Sequence, residues 1–165
     1  MSGSKADTKK KKTAMEAAAS YLADRMRTIA ELRKYLGNRD YTNKEIDETV
    51  SELIGLRYLD DYQYALRYYE YNYEKKRGMK RAARELAEKG VDRETIRNAG
   101  EDFIYENSID EYEMALELAR KELVREVDDR LVARVARKLE SRGFANDVII
   151  RVLEQMRRWD REDYN

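Results

Sequence analysis

The pattern that most restricts the fold of this chain is a helix ending written three times. It reads Leu36-Gly37-Asn38-Arg39-Asp40-Tyr41, then Leu86-Ala87-Glu88-Lys89-Gly90-Val91, then Leu139-Glu140-Ser141-Arg142-Gly143-Phe144. Each places a leucine on the buried face, a cation in the last turn, a residue tolerant of positive φ, and an apolar side chain that folds back on the helix. Gly90 and Gly143 meet the left-handed position without steric cost, and Asp40 meets it less well. The register runs on past the turn: Ile46, Ile96 and Ile149 follow the three leucines at one fixed interval, and Leu53, Phe103 and Met156 at another. Units with a period of roughly 50 residues, each too small to bury its own apolar face, stack and share a core.

Composition assigns those units to helices. The 165 residues include no proline and only 7 glycines, so nothing imposes frequent breaks. With 34 basic and 34 acidic residues the net charge is zero, unlike a protein that lives on phosphate backbone alone. There is no cysteine and no histidine, which removes disulfides, thiolate metal sites, thiol nucleophiles and the usual general base. No glycine-rich loop cradles a nucleotide, so the expectation is a protein that is not an enzyme and holds neither cofactor nor metal. No apolar run approaches bilayer length and no secretory pattern opens the chain, so we expect no membrane contact and a cytoplasmic protein.

Along the chain, residues 1–13 read as a disordered basic arm ending in Lys9-Lys10-Lys11-Lys12. A first three-helix repeat spans 14–57. It carries Ala18, Tyr21, Leu22 and Met26 on one helix, a capping box of Thr28 and Glu31 on the next, and Ile46, Val50 and Leu53 on a third capped by Thr42 or Asn43. The second repeat, 58–106, opens on the capping aspartates Asp60 and Asp61. Gly78 then breaks the chain, and Asp92 caps a helix that turns Ile96, Ala99, Phe103 and Ile104 inward. The third, 107–161, begins with Ser108-Ile109-Asp110-Glu111 as a capping box. It continues with Met114, Ala115, Leu118, Ala119 and Leu123 inward, a helix started by Asp128 or Asp129 and burying Leu131, Val132, Val135 and Leu139, then a last helix capped by Asn146. Residues 162–165 form a tail. The fold class is all-α: three tandem three-helix repeats in an elongated, curved helical array.

Four pieces in this order carry a resemblance: Ala18-x-x-Tyr21-Leu22-Ala23-x-Arg25-x-Arg27-Thr28-x-x-Glu31-Leu32; Tyr58-Leu59-Asp60-Asp61-x-x-Tyr64-Ala65; Gly78-x-x-Arg81-Ala82-x-x-Glu85-Leu86-x-x-Lys89-Gly90-Val91; and Leu139-x-x-Arg142-Gly143-Phe144. Over about residues 14–156 the chain resembles the RecX family of bacterial recombination regulators. It departs from the family pattern at Thr28 (more often serine), Ala82 (a larger aliphatic) and Asp40 (usually glycine). The resemblance implies a monomeric regulator that lies in the groove of the RecA–DNA filament and limits its extension, ATPase and strand exchange. The competing reading is a helical-repeat nucleic-acid-binding module that acts on recombination through single-stranded DNA alone.

Two constellations are candidates for partner contact. Lys75, Lys76, Arg77, Lys80, Arg81 and Arg84 surround Gly78, and the acids that could neutralise them locally, Glu85 and Glu88, are few. Seven of the 13 tyrosines fall between Tyr58 and Tyr73. Repeat alignment turns Tyr64, Ala65, Tyr68 and Tyr69 inward and leaves Tyr62, Leu66 and Tyr73 for packing between repeats or for a partner. The acidic run Glu101, Asp102, Glu106, Asp110, Glu111, Glu113 and Glu117 reads as a solvated face, or as the acidic end of a molecule steered by charge. Arg25, Arg27 and Arg142 are expected to meet helix C-terminal carbonyls. Trp159 either packs the end of the last helix or projects from it.

Overall fold

The computed structural model describes residues 12–123 and 126–162. The expected basic arm lies outside the described residues as far as position 11, as does the tail at 163–165. Among the described residues there are nine helices and no strand, falling into two compact units, Met1–Asp60 and Asp61–Asn165. None of the helices is long and apolar enough to cross a membrane.

The first unit contains α1 (Ala14–Leu22), α2 (Ile29–Gly37) and α3 (Asn43–Gly55), and each begins the same way. Thr13, Thr28 and Thr42 each accept a hydrogen bond from the backbone N–H of the glutamate three residues on, and Glu16, Glu31 and Glu45 each reach back to the threonine N–H. These are three reciprocal capping boxes, of which only the one at Thr28 was expected from sequence. Thr13 therefore belongs to α1 and not to the arm. Helix α1 stops at Leu22, so Met26 lies in the connection, 43% exposed, and does not extend the buried stripe. The core gathers Ala17 and Ala18 of α1, Leu32 and Leu36 of α2, Ile46, Val50 and Leu53 of α3, and Leu59 beyond it. Alanines on α1 let its backbone approach the leucines of α2, each fully buried and worth about 2–3 kcal/mol in transfer alone.

The second unit contains α4 (Asp61–Glu74), α5 (Met79–Glu88), α6 (Arg93–Glu106), α7 (Glu111–Arg120), α8 (Asp129–Arg142) and α9 (Asn146–Glu162). One buried cluster joins α4, α5 and α6 around Ala65, Tyr69, Leu86 and Phe103. A second joins α7, α8 and α9 around Leu118, Leu139, Phe144 and Met156, with Trp159 packed against it. The Tyr73 side chain packs against both clusters. Tyr69 shows why Gly100 is needed. Its hydroxyl donates to the Ile96 carbonyl (3.1 Å), and a Cβ on Gly100 would come within 2.9 Å of that hydroxyl. Burial pushes the Tyr69 phenol up to about 12.

Helix ends in this unit follow the expected chemistry with two exceptions. Asp92 and Asp128 cap α6 and α8, and Gly90 and Gly143 both sit at φ +81°. Ser108, however, is not a cap; at φ +50° it closes the turn after α6, and Asp110 alone caps α7, accepting from Tyr112 and Glu113. Asn146 is the first residue of α9, with the Ile149 N–H bonded to the carbonyl of Ala145 ahead of it. Ile104 lies 38% exposed, whereas Leu116, which was not among the residues expected inward, is buried. Helix α7 is therefore apolar over a wider arc than one partner helix would use.

Candidate interaction surface at the turn between α4 and α5

Helix α4 ends in a left-handed turn made without glycine. Lys76 has φ +54°, the Arg77 N–H donates to the Asn72 carbonyl (2.9 Å), and the Lys76 N–H donates to that of Tyr73 (2.9 Å). The strain of a lysine in this region is about 1–2 kcal/mol, and contacts from the third repeat oppose it. The Arg142 guanidinium donates through Nη1 to the carbonyls of Lys75 (3.1 Å) and Lys76 (3.2 Å), while its own carbonyl accepts from the Gly78 N–H (2.9 Å). Arg142 thus meets helix C-terminal carbonyls as expected, but those of α4, not those of its own helix. Arg81 completes the junction, its N–H directed to the Gly143 carbonyl (3.3 Å) and its Nη1 to that of Ser141 (3.3 Å).

Helix α5 then starts with no side chain at its cap position, since that position is Gly78. Its Met79 N–H donates instead to Oε1 of Glu111, the first residue of α7 (2.9 Å). Burial pushes the Glu111 carboxyl up; the Met79 N–H opposes this and the Asp147 charge adds to it. A residue read from sequence as part of its own helix start therefore caps a helix of the preceding repeat.

The structure divides the expected basic group. Arg81 is tied to Glu85 (2.8 Å), Arg84 to Glu88 (3.7 Å) and Lys76 to Glu117 (3.7 Å), the last from an acidic run that looked remote in sequence. Burial raises the Glu85 carboxyl, but the Tyr68 hydroxyl (2.8 Å) and the Arg81 guanidinium, with Arg77 nearby, outweigh it and hold Glu85 below the usual range. Lys75, Arg77 and Lys80 have no carboxylate within ion-pair distance among the described residues. Lys75 and Arg77 both lie 5.8 Å from the ring centroid of Tyr71, which is 45% exposed. A half-exposed phenol flanked by two such cations, with Lys80 on the next helix, suits an acidic protein surface or a phosphate.

The tyrosines singled out for this role stand elsewhere. Tyr62 donates to Asp102 on α6 (2.5 Å), and Tyr73 lies edge-on to Phe103 (6.1 Å) with the Lys76 ammonium over its ring (5.7 Å). Tyr71 was missed, although its i, i+4 relation to Lys75 was legible. Of the acidic run, Asp102, Asp110, Glu111 and Glu117 are engaged in contacts within the fold. In the first unit, Arg27 stacks on Tyr21 (4.3 Å), Tyr21 on Tyr35 (4.0 Å) and Arg39 on Tyr35 (4.3 Å), so Arg27 meets a ring and not the carbonyls expected for it. Trp159 carries Arg120 over its ring at 5.8 Å.

Comparison with known proteins agrees with this architecture. Residues 14–53, which hold α1 to α3 almost entirely, match the family described as RecX, first three-helix domain. The chain is 29% identical over 133 residues to regulatory protein RecX of Halalkalibacterium halodurans, covering 80% of this chain and 50% of that protein. It is 29% identical over 145 residues to regulatory protein RecX of Bacillus velezensis, covering 87% and 55%. The chain thus spans about half the length of these relatives. Among solved structures, RecX from Lactobacillus salivarius superposes with a TM-score of 0.75 at 24% identity, covering 87% of this chain and 94% of that one. A second crystal structure, of regulatory protein RecX, gives 0.69 at 25% identity, covering 86% and 70%. The matched first domain, the similarity running through most of the chain and the shared helical fold together support the RecX family, whose named relatives are regulatory proteins.

Proposed function

We propose that this chain binds the filament that the RecA recombinase forms on DNA and limits its extension, ATPase and strand exchange, as a cytoplasmic monomer without chemistry of its own. The reading takes its partner from the family. In this chain it rests on one observation, the cation-flanked Tyr71 with Lys75, Arg77 and Lys80 lacking a carboxylate at ion-pair distance among the described residues. The surface belongs to the second of three repeats, 14–57, 58–106 and 107–161, and a repeat protein suits a partner that is itself a repeating polymer. Residues left over from close ion pairing in a helical-repeat protein are where a charged partner gains most, because no carboxylate among the described residues sits at contact distance to compete for them.

The test uses RecA assembled on single-stranded DNA, with ATP hydrolysis and filament co-sedimentation as readouts. Wild-type chain is expected to bind and depress hydrolysis, and K75Q/R77Q/K80Q to bind weakly with helicity unchanged. Full inhibition by the triple variant would remove this surface from the interface. The reading through DNA alone is separated by salt: a phosphate-driven binder binds naked strands well and loses affinity steeply as salt rises.

A further inference from the structure

We infer that Arg142, a residue of the third repeat, is a positioning residue for the partner-binding turn of the second. The inference deepens the proposed function and rests on the assignment of Tyr71, Lys75, Arg77 and Lys80 to the interface. Its basis is that one residue holds both sides of that turn. The Arg142 side chain binds the carbonyls of Lys75 and Lys76, and its main-chain carbonyl takes the N–H of Gly78, so the segment between is clasped at entry and exit.

The local sequence does not stabilise this conformation by itself. Lys76 occupies the left-handed region where glycine would be unstrained, so an isolated α4 end with this sequence would adopt the turn less often. The guanidinium also offsets the partial negative charge that the last carbonyls of α4 gather. Arg142 makes no ion pair among the described residues. Its charge therefore adds to the potential at the turn, while the two bonds from Nη1 of the planar guanidinium set the direction in which Lys75 and Arg77 leave the backbone. The partner chemistry that fits is an acidic protein surface, which needs several cations in a fixed arrangement; a flexible phosphate chain would adapt to a loosened turn.

The experiment is a double-mutant cycle on the full chain, reading affinity for assembled RecA filaments. R142Q removes the clasp and the charge, and R142K keeps the charge without the fork. Both are expected to weaken binding, R142Q by roughly tenfold, with helicity kept and amide exchange quickened at positions 76–78. Combined with K75Q/R77Q/K80Q, R142Q should add little, because its effect passes through those side chains. Wild-type affinity in R142K with quickened exchange, or a fully additive loss in the cycle, overturns the positioning role while leaving the interface assignment standing. No loss in K75Q/R77Q/K80Q overturns the interface assignment and this inference with it. Should R142Q not fold, R142K decides alone through affinity and exchange.

Discussion

Gly78 and Gly143, one at the start of α5 and the other at the end of α8, are in backbone contact: a Cβ on Gly78 would lie 2.2 Å from the Gly143 carbonyl oxygen. The relation is reciprocal in its effect, since a Cβ on Gly143 would meet that of Arg81 at 2.2 Å. Two repeats are joined here by main chain, so neither glycine can be replaced without parting them. Gly78 has φ −70° and needs only space, whereas Gly143 at φ +81° needs both space and the left-handed conformation. Alanine is expected to destabilise by about 1–3 kcal/mol at 78 and about 3 kcal/mol or more at 143. At Gly90, with the same φ as Gly143, about 1 kcal/mol is expected. Urea unfolding of the three variants checks the order, and an equal loss at all three would refute the distinction.

Glu111 gives the chain a pH dependence of defined sign. Its folded carboxyl titrates above the ordinary glutamate value, so between the two values the folded chain holds more protons than the unfolded chain. Stability from this group therefore falls as pH rises through that window. E111Q retains an oxygen for the Met79 N–H without the buried charge. It should match wild type well below the window and become relatively more stable above it, as read by melting temperature across pH.

The pairing of Tyr69 with Gly100 predicts a coupled response. G100A would place a methyl within 2.9 Å of the Tyr69 hydroxyl, while Y69F would lose the bond to Ile96 at about 1 kcal/mol. In the double variant the missing oxygen leaves room for most of the methyl, so the measured loss should be smaller than the sum of the single losses.

Arg57 is exposed at φ +60° after α3, and among the described residues its side chain has no partner that glycine would forfeit. R57G is expected to stabilise by about 0.5–1 kcal/mol, the relief of left-handed strain less the added freedom of the unfolded chain. A lower denaturation midpoint would contradict this.

Helix ends and buried faces were legible because they depend on neighbours a few residues away. Thr28 with Glu31, Asp92, Asp128 and the leucine-to-glycine endings at Gly90 and Gly143 all took the roles that local chemistry assigned. The errors came where a distant partner competed. Glu111 left its own helix start for Met79, and Lys76 found Glu117, thinning a basic group that looked unneutralised in sequence. Tyr62 and Tyr73 turned to α6, so the exposed tyrosine of α4 beside the cations is Tyr71.

What the amino-acid order determined by itself was the helical class, where most helices start and stop, and most of each apolar stripe, since caps, periodicity and left-handed turns act within one or two turns of chain. Which surface remained for a partner was decided only by the tertiary structure. Charges separated by tens of residues are neutralised, and strained turns such as that at Lys76 are held, when packing brings a carboxylate or the Arg142 guanidinium within hydrogen-bond reach, and no local spacing encodes that approach.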